Sequence, residues 1–278
     1  MDPAIGISSD TQELAQCDAL ILTIPAQSLR TVAISMSDIV PSHVPLVIAS
    51  KGIEKGSLML MGEVVQSIMP HNPYAVLSGP NFAREVAEGK PTACVLATHH
   101  AQLAERVGFA LGGRYFRLYS NDDPVGTQVG GALKNVLAIA TGIVEGRGLG
   151  ENARAALITR GIAEIARFAK AKGGREETLM GLSGIGDIAL SCTSVKSRNY
   201  ALGFAIGRLK ASVPIEQLAP HGLGLTEGVA TAESVHQLAR KLGVNMPIMT
   251  AVDEVLAGSV AVDAALERLL ERPVGSEL

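Results

Sequence analysis

The chain has 278 residues, of which 47% are hydrophobic, and a formal net charge of −3. This length accommodates two domains of ordinary size, and the hydrophobic content excludes a disordered protein. Because the charge is slightly negative and only 3% of the residues are aromatic, we expect no nucleic-acid partner. The apolar runs are too short to cross a bilayer and the first residues lack a signal-peptide pattern, so we expect no membrane association.

The three cysteines, Cys17, Cys94 and Cys192, are scattered along the chain. Their spacing matches neither a disulfide framework nor a metal site, which favours a reduced, cytoplasmic setting. The histidines are dispersed apart from the adjacent pair His99 and His100, and no H-E-x-x-H motif is present. We therefore predict no metal site.

Short apolar runs alternate with amphipathic segments over the first 120 residues. The apolar runs predict strands at 19–24, 45–50, 74–78, 93–98 and 115–120. The amphipathic segments predict helices, among them 28–39, 58–68 and 102–111. Apolar strands that alternate with helices are typical of a largely parallel α/β sheet covered on both faces.

Beyond about residue 122 the strand signals stop. Helical patterns follow at 152–171, 247–257 and 263–271. We therefore predict a partial Rossmann-like, mostly parallel sheet domain at 1–121. An all-α substrate and catalytic domain is predicted at 122–278.

A glycine-rich dinucleotide fingerprint is missing from the first domain. Only about 18 residues precede the first predicted strand, and they contain no strand followed by G-x-G-x-x-G and a helix. The segment Gly184-Ile-Gly186-Asp-Ile-Ala189 matches G-x-G-x-x-A. However, it follows a helical pattern at 176–182, so we interpret it as a tight turn between helices. We expect the first βαβ portion of a Rossmann-like domain to be absent from this chain.

The segment 126–143 predicts a helix that is buried on nearly all sides. Residues spaced three or four apart form one stripe along this helix, in which Lys134 lies among mostly small side chains. The stripe consists of Thr127, Gly130, Gly131, Lys134, Ala138 and Thr141. Burial lowers the pKa of a lysine towards the range useful for proton transfer, so Lys134 is a candidate catalytic residue. A snorkelling or salt-bridged structural lysine is the alternative.

Four further segments carry polar candidates. Asp187 follows a glycine turn and is either a site residue or a helix cap. Residues 197–199, Ser-Arg-Asn, stand at the start of a predicted helix, where they form either a phosphate site or a serine cap with two solvated side chains. Lys51 and the segment 78–86 follow predicted strands, and ligands of open α/β sheets bind at such carboxyl ends.

These motifs form an ordered set: SKGIE, LSGPNFAREVAEG, YSNDDPVGTQVGGALKNVLAIATGI, NARAALITRGIAEIARF, GLSGIGDIALSCTSVKSRNYALG and LTEGVATAESV. The set resembles the bacterial-type NAD(P)-dependent glycerol-3-phosphate dehydrogenases from about Cys17 to about Leu270. Its most specific parts are G-G-A-x-K-N and S-R-N at this separation. The resemblance implies reversible hydride transfer between NAD or NADP and C2 of glycerol 3-phosphate or dihydroxyacetone phosphate, feeding phospholipid synthesis.

The same resemblance assigns roles to residues in the matched motifs. It implies that Lys134 is the general acid/base and that Asp187 binds substrate or holds Lys134 in its active form. The implied substrate contacts are Lys51, Gly79, Asn81, Lys134, Asp187, Ser191, Ser197, Arg198 and Asn199. The implied cofactor contacts are Lys51, Ala83, Arg198, Leu225 and Glu227. A homodimer is also compatible with the family.

The chain departs from the family where the G-x-G-x-x-G segment is absent, so we expect impaired NAD(P) binding and little activity. Two other interpretations remain open. One is a non-catalytic binder of a phosphorylated metabolite or an oligomer subunit. The other is a different β-hydroxyacid or ketopantoate-type reductase, although a carboxylate substrate would need no S-R-N phosphate clamp.

Overall fold

The computed structural model describes residues 5–209 and 226–273. Five strands form one sheet in the order β1 to β5. They are β1 Leu20–Leu22, β2 Leu46–Ile48, β3 Tyr74–Ser78, β4 Thr92–Ala97 and β5 Phe116–Asn121. Neighbouring strands are parallel except β3 and β4, which are antiparallel. All five predicted strands and the mostly parallel sheet are thus confirmed.

Helices cover both faces of the sheet. They are α1 Leu29–Met36, α2 Met61–Ile68, α3 Ala83–Ala87 and α4 Ala101–Leu111. One hydrophobic cluster joins Leu46 and Ile48 of β2 to α1 and α2, and another joins Val47 to α4. Because both faces of β2 are covered, all three of its residues are buried.

The second half is helical throughout the described residues. Its helices are α5 Pro124–Gly146, α6 Glu151–Ala171, α7 Asp187–Cys192, α8 Arg198–Arg208, α9 Glu227–Leu242, α10 Pro247–Leu256 and α11 Val262–Leu270. The carboxylate of Asp123 caps α5 by accepting a hydrogen bond from Gly126 N at 2.8 Å. A helical second domain is confirmed, whereas its division from the first at residue 121 stays a prediction.

The predicted helix at 176–182 is wrong in length and type. A 3₁₀ turn covers Glu177–Met180, and a π-helical turn covers Leu182–Gly186. Close packing explains this local winding, since a Cβ on Gly184 would collide with the backbone of Leu179. The glycines at 184 and 186 therefore lie in a turn between helical segments, as expected, and not in a dinucleotide fingerprint.

Although α5 has 23 residues, none of the described helices combines the length and the apolarity needed to cross a membrane. Instead, α5 is buried at the centre of the helical half.

Glycines allow α5 and α8 to pack backbone against backbone. A Cβ on Gly203 of α8 would lie inside van der Waals contact of the Ile139 carbonyl of α5. We therefore expect Gly203→Ala to lower the free energy of unfolding by about 1–3 kcal/mol in denaturant titrations. Gly108→Ala in α4 is the matched control, because no atom lies within 4 Å of its Cβ position. The control should gain up to about 1 kcal/mol from helix propensity; equal losses in both variants would contradict the packing explanation.

Candidate active site

Polar side chains from both halves of the chain meet beside the carboxyl ends of β2 and β3. Lys51 follows β2, and Ser78 ends β3. Lys134 lies in the middle of α5, and Asp187 is the first residue of α7. The topology therefore brings together candidates that lie up to 136 residues apart in the chain.

Asp187 is buried between two ammonium groups. Its Oδ1 lies 2.6 Å from Nζ of Lys134, and its Oδ2 lies 2.7 Å from Nζ of Lys51. Lys134 also donates a hydrogen bond to Oγ of Ser191 at 3.0 Å. Asp187 is only 1% exposed, so this carboxylate compensates the charge of both lysines in a site with little water.

The alternative role of Asp187 as a helix cap is wrong. The residue that precedes α7 is Gly186, and Asp187 itself lies in the first turn of the helix. Because both of its oxygens contact lysines, its carboxylate belongs to the polar cluster.

The environment of Lys134 lowers the pKa of its ammonium group to about 8. Burial is the largest cause, and the positive charge of Lys51 adds to it. The carboxylate of Asp187 opposes both effects. Lys134 can therefore hold or release a proton near neutral pH, which a solvated lysine does not do.

Glycines in the stripe on α5 permit this close approach. A Cβ on Gly130 would lie 2.5 Å from the Ser183 carbonyl oxygen, and one on Gly131 would lie 2.8 Å from Oγ of Ser78. Lys51 also passes beside Gly131. Helical glycines cost up to about 1 kcal/mol each relative to alanine, and here they let β3 and the π-helical turn pack against the helix beside Lys134.

The Ser-Arg-Asn segment lies at the start of α8. Ser197 caps this helix by accepting a hydrogen bond from Tyr200 N at 3.4 Å, as the serine-cap interpretation predicts. Asn199 is buried and not solvated, and its Oδ1 accepts a hydrogen bond from Gly228 N at 3.1 Å. The Arg198 side chain is exposed.

Glu227 is the first residue of α9, and the pKa of its carboxyl group is affected by three cations of the site. Burial raises the pKa of its carboxyl group, whereas Arg198, Lys51 and Lys134 each favour the charged form, with Arg198 the strongest of the three. Glu227 therefore lies within electrostatic reach of three cations of the site. Leu225, the other predicted contact in this motif, lies outside the described residues.

Comparison with known proteins gives two matching family models. The model described as NAD-dependent glycerol-3-phosphate dehydrogenase N-terminus matches residues 1–104, and the corresponding C-terminus model matches residues 123–267. The chain belongs to the NAD-dependent glycerol-3-phosphate dehydrogenase family.

Relatives in this family match the whole chain. It is 49% identical to the glycerol-3-phosphate dehydrogenase [NAD(P)+] of Rhodospirillum rubrum, with 100% of this chain and 79% of the relative covered. It is 46% identical to the corresponding protein of Caulobacter vibrioides, with 100% and 83% covered. The crystal structure of glycerol-3-phosphate dehydrogenase from Coxiella burnetii superposes with a TM-score of 0.89 at 38% identity, covering 94% of this chain and 79% of that chain.

A ketopantoate reductase from Ralstonia eutropha also shares the fold, with a TM-score of 0.53 at 15% identity. This is a likeness of fold alone. The ketopantoate-type interpretation is therefore not favoured over membership of the glycerol-3-phosphate dehydrogenase family.

The remaining family motif, S-G-P-N-F, lies at the carboxyl end of β3. Gly79 has a φ of +144°, and a Cβ there would lie 3.0 Å from Cα of Cys94. Burial raises the pKa of the Cys94 thiol, whereas the positive charge of Lys51 and the Asn81 side chain oppose that effect. Ala83 begins α3 immediately after this loop.

Sequence reasoning does not single out Ser78, although it lies in the cluster. It is 2% exposed, and its Oγ has no hydrogen-bond partner among the described residues. Its position directly before Gly79 at a strand end was the available signal. This buried hydroxyl lies beside Gly131 and Lys51, and as an unsatisfied polar atom it fits a polar group of a bound ligand such as NAD(P).

The fit does not extend to the dinucleotide's pyrophosphate. Within residues 5–209 and 226–273, no strand leads through G-x-G-x-x-G into a helix; β1, for example, is followed by Thr23, Ile24 and Pro25. Helix N-termini that follow such glycine turns are the usual pyrophosphate cradle in this fold.

Proposed function

We propose that Lys134 carries the proton in the interconversion of glycerol 3-phosphate and dihydroxyacetone phosphate with NAD or NADP. The observation that carries this proposal is the largely buried Lys134 ammonium, which Asp187 and Ser191 hold in place and whose pKa is about 8. Consumption of NADH with dihydroxyacetone phosphate, and not with unphosphorylated dihydroxyacetone, tests it. Equal rates with both ketones would contradict it.

In the reduction direction, Lys134 donates a proton from Nζ to the oxygen on C2 and becomes neutral. NAD(P)H, when bound, supplies the hydride that C2 receives. In the oxidation direction the neutral amine takes the hydroxyl proton. Asp187 and Ser191 hold Nζ in place during both reduction and oxidation, because each of them already forms a hydrogen bond with it.

We assign the substrate contacts to both walls of the site. Lys51, Gly79 and Asn81 line it from the sheet domain, whereas Lys134, Asp187, Ser191, Ser197, Arg198 and Asn199 line it from the helical domain. Arg198 is the proposed phosphate ligand, because an exposed guanidinium at a helix start offers both a fork of donors and a favourable dipole.

We expect Arg198→Ala to weaken glycerol 3-phosphate binding about 10- to 100-fold, the loss typical of hydrogen bonds to a charged group. Calorimetric titration of the substrate measures this effect without the cofactor. Arg160→Ala on the exposed side of α6 is the matched control and should bind normally. Unchanged affinity in Arg198→Ala would remove this residue from the phosphate site.

For the cofactor we propose contacts from Lys51, Ala83, Arg198 and Glu227, with Leu225 from the same motif. Since the described residues hold no pyrophosphate cradle, we expect a polypeptide of these 278 residues to bind NADH weakly while it still binds glycerol 3-phosphate. Parallel titrations with the two ligands check this prediction. Tight NADH binding would contradict it, whereas substrate binding without any turnover would favour the non-catalytic binder.

We also propose a cytoplasmic location, a role in phospholipid precursor synthesis and a homodimer. Three free cysteines support the first of these. The relatives named glycerol-3-phosphate dehydrogenase [NAD(P)+] support the second. The outer edge of β5, which has no strand partner among residues 5–209 and 226–273, supports the third. A division near residue 121, where β5 leads into α5, remains the proposed domain boundary.

A further inference from the structure

We propose that Gln128 of α5 is a positioning residue for the active site. Its side chain docks the sheet half of the chain, residues 5–121, onto the helix that carries Lys134. Gln128 acts through the loop that joins β2 to α2, residues 49–60, because this loop carries Lys51 near its start. This role rests on the proposed function of Lys134.

The side chain of Gln128 makes a buried contact between the two halves of the chain. Gln128 is 7% exposed, and its Oε1 accepts a hydrogen bond from Gly62 N at 2.6 Å. Gly62 lies in the first turn of α2, where backbone N–H groups have no partner within their own helix. Nε2 of Gln128 donates to the Pro124 carbonyl at 2.9 Å, which fixes the orientation of the amide. Helix α5 therefore supplies a hydrogen-bond acceptor for the start of α2.

A short antiparallel bridge connects the start of α2 to the region of Lys51. Ile53 pairs with Leu60, the residue that precedes α2. Both side chains are buried in the hydrophobic cluster that contains α5, so the loop is packed into the helical half. Leu58 of the same loop has a φ of +60°. This strained conformation persists because the Leu58 side chain packs into the same cluster.

Other contacts of this region depend less on α5. Gln27 of the sheet half donates a hydrogen bond to the Ile53 carbonyl at 2.9 Å, which ties the loop to its own half. Lys172, directly after α6, pairs with Glu63 of α2 at 2.7 Å, but the glutamate is 43% exposed. Exposed ion pairs contribute little. The buried hydrogen bond of Gln128 is therefore well placed to hold the loop, together with the rest of the sheet half, against α5.

This docking matters because Lys51 and Lys134 share one carboxylate. Nζ of Lys51 lies 2.7 Å from one oxygen of Asp187, and Nζ of Lys134 lies 2.6 Å from the other. The charge of Lys51 lowers the pKa of Lys134, whereas Asp187 raises it. A small separation of the sheet half from α5 would remove Lys51 from Asp187, so the pKa of Lys134 would rise towards its ordinary value. Gln128 thus keeps the proposed proton donor in its working range.

Competitive acylation of the lysines tests this inference without any cofactor. Gln128→Met keeps the side-chain length but leaves Gly62 N without its acceptor. We expect Lys51 to be acylated about tenfold faster in this variant, because loss of one buried hydrogen bond shifts a local opening equilibrium by about that factor. The pKa of Lys134 should rise above its value of about 8. Gln66→Met, on the exposed side of α2, is the matched control and should change neither.

A second variant keeps the test decisive if Gln128→Met does not fold. The Cβ in Gly62→Ala would lie 3.1 Å from the amide atoms of Gln128 and 2.9 Å from the Tyr74 ring. It should therefore displace the same contact and also accelerate acylation of Lys51. Gly108→Ala, whose Cβ meets no atom within 4 Å, is its control.

Two results would overturn the role of Gln128. One is that Lys51 and Lys134 react in Gly62→Ala, and in a folded Gln128→Met, as they do in the unsubstituted chain. The other is that Gln66→Met changes them equally. Failure of the proposed function has a different signature, since Lys134 of the unsubstituted chain would then titrate like the exposed Lys170. The acylation rates of Lys51 decide the role of Gln128 in that case as well.

Discussion

Replacing Lys134 by methionine is expected to lower kcat for dihydroxyacetone phosphate reduction by about 10²- to 10⁴-fold, the usual contribution of a positioned general acid. Methionine matches the length and fills the same space, so the fold should persist. Turnover is measured from NADH absorbance with NADH in large excess. Lys170→Met is the control, because this lysine is exposed on α6 and forms an ion pair with Glu176 on the surface. A Lys134→Met variant that retained more than about a tenth of the activity would contradict the assignment.

The dependence of the reaction rates on pH should also report the pKa of Lys134. The ammonium form of Lys134 is the acid for reduction, and its pKa is about 8. The reduction rate should therefore be level below pH 8 and fall about tenfold per pH unit above it. Oxidation needs the neutral amine, so its rate should rise up to pH 8 and then level off.

Replacing Asp187 by asparagine is expected to damage both stability and catalysis. The change leaves the ammonium groups of Lys51 and Lys134 close together in a buried site without their shared carboxylate. Breaking a buried ion pair in this way costs about 3–5 kcal/mol of unfolding free energy. It should also lower the pKa of Lys134 further, because the carboxylate opposes burial and Lys51.

Denaturant titration and the pH profile of reduction measure these two effects. Asp263→Asn is the control, since Asp263 pairs with Arg147 while it is 71% exposed. Exposed pairs contribute about 1 kcal/mol or less. A loss below that value in Asp187→Asn, with an unshifted profile, would show that the carboxylate does not hold the two lysines.

Much of the fold follows from local patterns in the sequence. The five apolar runs are strands, of which β2 is buried on both faces of the sheet, and β3 has the predicted limits of Tyr74 and Ser78. Strands β1 and β2 are shorter than the predicted runs at 19–24 and 45–50. The low exposure of Lys134 was also predictable, because its helix carries small or apolar residues on nearly all sides.

The site itself depends on contacts between distant parts of the chain. Local sequence allowed Asp187 to be a cap, and only its packing shows that both oxygens contact lysines from two other elements. Ser197 carried a cap signal and is a cap. Glu227 and Ser78 had little local signal, because their importance lies in what surrounds them in space. More of the candidate site residues were therefore identified from the family motifs than from residue patterns alone.

The central claim is that Lys134 has a lowered pKa beside a phosphate ligand held by Arg198. Competitive acylation of the lysines across pH, quantified by mass spectrometry, tests this claim without any cofactor. We expect Lys134 to titrate at a pKa of about 8, and glycerol 3-phosphate to protect it in the unsubstituted chain but not in Arg198→Ala. A Lys134 that titrates like the exposed Lys170, with no protection by the substrate, would contradict the account.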